Sequence, residues 1–207
     1  MLDYTSFLTP NEVATCIGYA NRRALSSKNF QLNRVLFRLS CCCGLRRCEI
    51  AGLNVGDVVT DGERPVVRVR AATTKGKNGV RRSRSVPLWW DSGTWIAMKE
   101  WKLHRQSQGA GKNDPFLCRL RSDQFGKRMS TRTIANRWRS VLRCLPEDRR
   151  AQLSCHKGRH SAATYALAAG HSLVEVQHML GHASVHSTSV YLHLVDRKDV
   201  PDTFAFC

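Results

Sequence analysis

Two arginines, two histidines and a tyrosine stand out in this 207-residue chain for the chemistry they could share. His156 and Arg159 lie in His156-Lys157-Gly158-Arg159, His182 closes Leu180-Gly181-His182, and Tyr191 follows nine residues later. Arg46 stands far upstream in Gly44-Leu45-Arg46. Guanidiniums neutralise a phosphate, imidazoles handle protons and hydrogen bonds, and a tyrosine hydroxyl attacks once its target is electrophilic. Phosphoryl transfer from DNA to a tyrosine requires this set. A lone tyrosine is usually core or surface, so the weight rests on the ordered register rather than on any one residue.

The charge balance fits such a substrate. Lys plus Arg number 33 against 16 Asp plus Glu, a net charge of +17 with a pI near 10.1. A phosphate lattice attracts such a chain and releases counterions on binding, which makes double-stranded DNA the expected partner. Residues 64–84 carry eight basic residues and no acidic one, and residues 117–143 carry eight against Asp123 alone. The C-terminal quarter is not a basic tail.

The site residues need elements to hold them. Thr9-Pro10-Asn11-Glu12 is a capping box with Pro at the first helical position, which predicts a helix start. Leu32, Val35, Leu36, Leu39 and Cys43 recur at helical spacing over 29–43, and Gly44 is a natural stop. A short helix is expected around Arg46–Ala51. Val67 and Val69 alternate with Arg68 and Arg70, residues 84–88 read as a partner strand, and Lys75–Gly79 reads as the hairpin loop between them. Residues 56–88 thus predict a small antiparallel sheet. Helices are expected at about 91–105 and 130–144. From 157 an Ala-rich helix runs to Gly170, Ser172-Leu173-Val174-Glu175 caps the next, Gly181 ends it, and a last short helix should carry Tyr191. The fold class is α+β, mostly helical, with one small antiparallel sheet.

These motifs resemble the catalytic domain of tyrosine recombinases, the phage integrase family, across nearly the whole chain. Thr9 to Val13 looks like the domain's opening. Gly44 to Ile50, with Leu53 and Asp57, looks like the first arginine box. Thr74-Lys75-Gly76-Lys77 followed by Val86-Pro87-Leu88 looks like the lysine hairpin. His156 to Ser161 with Gly170 looks like the second box, and Leu180-Gly181-His182 with Tyr191 the third. The steps of three from His156 to Arg159, 23 to His182 and nine to Tyr191 make the string specific.

The resemblance implies site-specific DNA cleavage and rejoining through a 3′-phosphotyrosyl bond. Tyr191 would be the nucleophile, with Arg46 and Arg159 holding the non-bridging oxygens. His182 would donate a further hydrogen bond, His156 would assist proton removal from the tyrosine, and Lys75 would protonate the 5′-hydroxyl leaving group. Lys77 competes with Lys75, because the hairpin is longer than the family's common form. His160 reads as a structural hydrogen-bonder beside the site, Glu49 as a support for the first arginine region, and Arg47 as solvated or phosphate-facing. Gly158 replaces the family's large apolar residue and is expected to loosen the helix start. The helical clamping domain that precedes this one in the family has no counterpart, so residues 1–207 are expected to be a fragment or a stand-alone catalytic domain. Tetramers are expected on DNA alone. A DNA-binding module without effective catalysis, or relaxation of the type IB topoisomerase kind, are the rival readings.

Other chemistries are weaker. His178, His182 and His186 repeat every four residues, but Gly181 breaks the helix and no Cys or carboxylate completes a metal set. Gly109-Ala110-Gly111-Lys112 fails as a phosphate loop, with Gln106 where Gly is needed and Asn113 where Ser or Thr is needed. No metal or cofactor is expected. Nine cysteines without a framework spacing, no leader and no long apolar run suggest free thiols in a cytoplasmic setting, with Cys41-Cys42-Cys43 as packing.

Overall fold

The computed structural model describes residues 7–73, 82–88, 90–182 and 184–192. Helix α1 (Pro10–Ala24) starts at the expected box: Thr9 Oγ1 accepts from the Glu12 N–H, and Glu12 Oε2 accepts from the Thr9 N–H at 2.8 Å. Arg149 then locks the same carboxylate, its Nε donating to Glu12 Oε1 at 2.6 Å. Helix α2 (Lys28–Cys41) is the hub, with Leu32, Val35, Leu36, Phe37 and Leu39 fully buried. It packs against α1, α4 (Ser92–Ser107), α5 (Thr131–Val141) and α7 (Cys155–Ala168). Phe37 stacks on Trp138 of α5 with ring centroids 5.8 Å apart.

Between α3 (Arg47–Gly52) and α4 lies the sheet, made of β1 (Val58–Val59), β2 (Val66–Val69) and β3 (Arg84–Pro87), all antiparallel in the order β1-β2-β3. Val67 sits opposite both Val58 and Val86, and all three are buried. The period of two therefore sends these valines to the core and leaves Arg68 outside. The expected hairpin loop with Lys75 and Lys77 falls outside the described residues. After α5 come α6 (Glu147–Ala151), α7, α8 (Leu173–Leu180) and α9 (His186–Ser189). Helix α8 packs on both α7 and β3.

Two expectations change. Gly158 does not loosen its helix. Helix α7 begins before it, and a Cβ at Gly158 would meet Ser40 Oγ at 2.4 Å and Cys41 Sγ at 2.9 Å. The missing side chain is what lets α7 press against α2. Tyr191 is not carried inside the last helix: α9 stops at Ser189, and Tyr191 follows in a turn, its N–H donating to the Thr188 carbonyl. Eight cysteines of the described residues are free thiols, and no described helix is long and apolar enough to cross a membrane.

Candidate active site

Arg159 joins two segments that are far apart in the sequence. It sits in α7 with 3% of its surface exposed, and its Nη1 donates to the Gly44 carbonyl at 2.6 Å while its Nη2 donates to the Leu180 carbonyl. Gly44 is needed for two reasons. Its φ is +65°, the left-handed region that favours glycine, and a Cβ would strike Leu180 Cδ2 at 2.6 Å. The turn after α2 and the end of α8 thus meet directly, with one guanidinium spanning them.

Arg46 caps α3 just beyond that turn. Its N–H donates to Glu49 Oε2 at 2.8 Å, and its Nη1 reaches Glu49 Oε1 at 3.1 Å. Glu49 is fully buried and also accepts from Arg84, Nη1 to Oε1 at 2.9 Å and Nη2 to Oε2 at 2.8 Å. Burial alone would raise the Glu49 carboxyl, but Arg84, the Arg46 N–H and the Arg159 charge hold it below its usual value. Arg84 Nε donates to the Met179 carbonyl at 2.8 Å, so this arginine ties β3 to α3 and α8. Sequence reading counted Arg84 only as one of a basic run. The available signal was parity, because Arg84 shares the face of core residue Val86.

Gly181 ends α8 in the left-handed region at φ +65°, and the His182 N–H folds back on the Gln177 carbonyl. That turn aims His182 toward α9, where its Nδ1 pairs with the buried Thr188 Oγ1 at 2.9 Å. Gly181 also takes His182 and His186 off the helix that holds His178. Among the described residues no group of three or more His, Cys, Asp or Glu could hold a metal ion.

Tyr191 is 3% exposed, and its hydroxyl pairs with His160 Nδ1 at 2.7 Å. Burial raises the hydroxyl pKa, opposed by the charges of Arg159 and Arg46. The ring of His156, more exposed than that of His160, meets it edge-on at 5.5 Å between centroids. The structure therefore brings together Arg46, Arg159, His182 and Tyr191, adds His160, Glu49 and Arg84, and sets His156 against the His160 ring. Lys75 lies outside the described residues.

Three guanidiniums and one carboxylate make an electropositive nest. Burial and the neighbouring Arg46 push Arg159 down to about 9, leaving it charged at neutral pH. Burial, then the charge of Arg159, pushes His182 down to about 4; burial, then His156, does the same to His160. An anion in the nest would oppose the part of these shifts that comes from the positive neighbours.

The two histidines predict a pH dependence of stability. An unfolded histidine titrates near 6.5, whereas these titrate near 4 in the fold. Between those values the unfolded chain binds more protons, so stability is full above about pH 6.5 and is lost as the pH falls toward 4. The thermal midpoint should drop across that window, and His160→Gln should drop less steeply. A midpoint as flat below pH 6 as above it would contradict the burial of both rings.

The sequence profile of the phage integrase family matches residues 6–198. Over 162 residues the chain is 31% identical to the tyrosine recombinase XerC of Chlamydia caviae, covering 78% of this chain and 47% of that one. The chain spans about half the length of the curated relatives it matches. In three dimensions it is similar to the XerH site-specific recombinase in a post-cleavage complex with palindromic difH, at a TM-score of 0.68 and 22% identity, covering 95% of this chain and 52% of that one. The XerA recombinase gives a TM-score of 0.65 at 20% identity, covering 96% and 60%. With the family profile spanning both arginine boxes and Tyr191, the chain belongs to the phage integrase family of tyrosine recombinases.

Proposed function

We propose that this chain cuts and rejoins double-stranded DNA at chosen sites through a 3′-phosphotyrosyl bond on Tyr191. The observation that carries this reading is the convergence of Arg46 and Arg159 on a buried tyrosine across the length of the chain, close enough for both charges to act on its hydroxyl. The scissile phosphate would sit in the excess positive charge, where donors that need no reorganisation stabilise the pentacoordinate state. With the Thr188 hydroxyl on Nδ1, His182 would present its Nε2–H to a non-bridging oxygen. Tyr191 Oη bonds to phosphorus as the bond to the 5′-oxygen breaks, and rejoining reverses the two events without ATP. That the similar XerH was captured on its difH substrate supports DNA as the partner. Residues 1–207 act in this reading as the catalytic unit, in the cytoplasm, with tetramers forming on DNA.

Lys75 is proposed to protonate the 5′-oxygen, ahead of Lys77, because it follows the valine strand more closely in sequence. Sulfur at the 5′-bridging position needs no proton on leaving, so that substrate should restore cleavage to Lys75→Ala. Restoration of Lys77→Ala instead would reassign the role.

A pool of nicked duplexes with a randomised core tests the function. DNA left bound to protein after denaturation is sequenced. An enriched core sequence is the expected result. An adduct without enrichment would indicate relaxation of the type IB topoisomerase kind. Retarded DNA with no adduct would leave a binding module and overturn the proposal.

A further inference from the structure

We propose that Arg84 is a positioning residue for strand cleavage, setting the Arg46 guanidinium against the scissile phosphate through the buried carboxylate of Glu49. The inference rests on the phosphotyrosyl reading above and deepens it by naming what fixes the first arginine.

Arg84 is turned inward. All three of its side-chain nitrogens are directed at protein acceptors, Nη1 and Nη2 at the two Glu49 oxygens and Nε at the Met179 carbonyl. Its side chain is 10% exposed, against 26% for Arg46, which is the one a phosphate can reach.

The two arginines share one carboxylate, and that sharing gives Arg84 its hold on Arg46. Glu49 Oε1 accepts from Nη1 of both arginines, and Oε2 accepts from the Arg46 N–H and from Arg84 Nη2. Arg46 and Glu49 are three residues apart on one short helix, so their own contact fixes neither side chain against the rest of the site. The planar fork arriving from β3 does, because two parallel bonds set the plane of the carboxylate from outside α3. Arg46 Nη1 then leans on a fixed oxygen, and its guanidinium waits in one place for the phosphate. Arg84 also supports a second part of the site. A Cβ at Gly181 would lie 2.7 Å from Arg84 Cδ, so the turn that aims His182 rests on the stem of this arginine.

The charges that face Glu49 are Arg46 at the head of α3, Arg84 from β3 and Arg159 from α7. Burial works against its ionisation, and Arg84 is foremost among the groups that favour it. A variant without Arg84 should therefore let the carboxyl titrate at higher pH, and the protonated form loses its grip on Arg46. His182, in the turn after α8, also feels the Arg84 charge, so its titration has to be told apart from that of Glu49.

The test uses the whole chain and the duplex recovered from the adduct selection. Single-turnover cleavage is measured from pH 5 to pH 9, below each melting midpoint, for wild type, Arg84→Met, Arg84→Lys and Arg84→Met with Glu49→Gln. Wild type forming no adduct would sink the functional reading and this inference with it. Given a wild-type adduct, Arg84→Met is expected to cut about 10²-fold more slowly at neutral pH, the size of loss that follows a misplaced group. DNA affinity should stay within about threefold, because the residue makes no phosphate contact of its own. The ratio of the Arg84→Met rate to the wild-type rate should climb with pH as Glu49 ionises, which a merely looser fold would not produce. Adding Glu49→Gln should flatten that ratio. Arg84→Lys keeps the charge without the fork, so its ratio should be flat while the rate stays about tenfold low. A folded Arg84→Met that cuts like wild type would overturn the proposal, and so would a pH-independent ratio. A climb that persists with Glu49→Gln would move the effect to His182 and also overturn it. Should Arg84→Met fail to fold, Arg84→Lys decides alone: cleavage at the wild-type rate overturns the proposal.

Discussion

Tyr191→Phe is expected to abolish the covalent DNA adduct completely while leaving DNA affinity within about twofold of wild type, since every positively charged group that would hold the phosphate remains. The substitution removes one oxygen and keeps the ring. That ring is 3% exposed and stays packed, so the fold should hold. The loss of one hydrogen bond to His160 costs about 1 kcal/mol. The nearby Thr188 Oγ1 is engaged by His182. Denaturing gels and gel shifts on the same variant decide it, and an adduct that survives would remove Tyr191 from the nucleophile's role.

Arg159→Ala should be nearly as severe, for two separable reasons. Loss of one transition-state donor typically slows catalysis about 10²–10³-fold. The same change strips the Gly44 and Leu180 carbonyls of their partner in a buried setting, at roughly 1–3 kcal/mol each. The variant should therefore melt earlier and also fail to cut at temperatures where it is still folded. Arg159→Lys separates the effects. It restores charge but not the planar fork, so it should recover less activity than stability. A guanidinium has more N–H donors than the two used on these carbonyls, which is why one side chain can serve the fold and a phosphate together. If Arg159→Ala cut at near wild-type rate while folded, the phosphate-clamp role would be lost.

Local signals in the chain foretold much of this site. The boxes Thr9–Glu12 and Ser172–Glu175 cap α1 and α8 as read, because reciprocal capping is settled within four residues. Gly44 and Gly181 were legible as stops for the same reason. The alternating valines announced the sheet. What escaped was set by contacts between distant segments. Gly158 reads as a weak helix former, and only the approach of Ser40 and Cys41 shows why nothing larger fits. Arg84 reads as one more basic residue until Glu49, 35 positions away, is seen between its two nitrogens. His160 lies in a histidine-rich run where spacing cannot say which ring meets Tyr191, 31 residues on. Tyr191 itself falls after α9 because that helix closes at Ser189, a boundary of the kind sequence patterns place poorly.

The central claim is that Tyr191 Oη becomes joined to a DNA 3′-phosphate. The most direct measurement is mass spectrometry of the adduct trapped on a nicked suicide duplex, after digestion of both protein and DNA. The peptide spanning Tyr191 should carry the mass of a 3′-linked nucleotide, with fragment ions that place it on Tyr191. A nucleotide on any other residue, or on Tyr191 through a 5′-phosphate, would contradict the account.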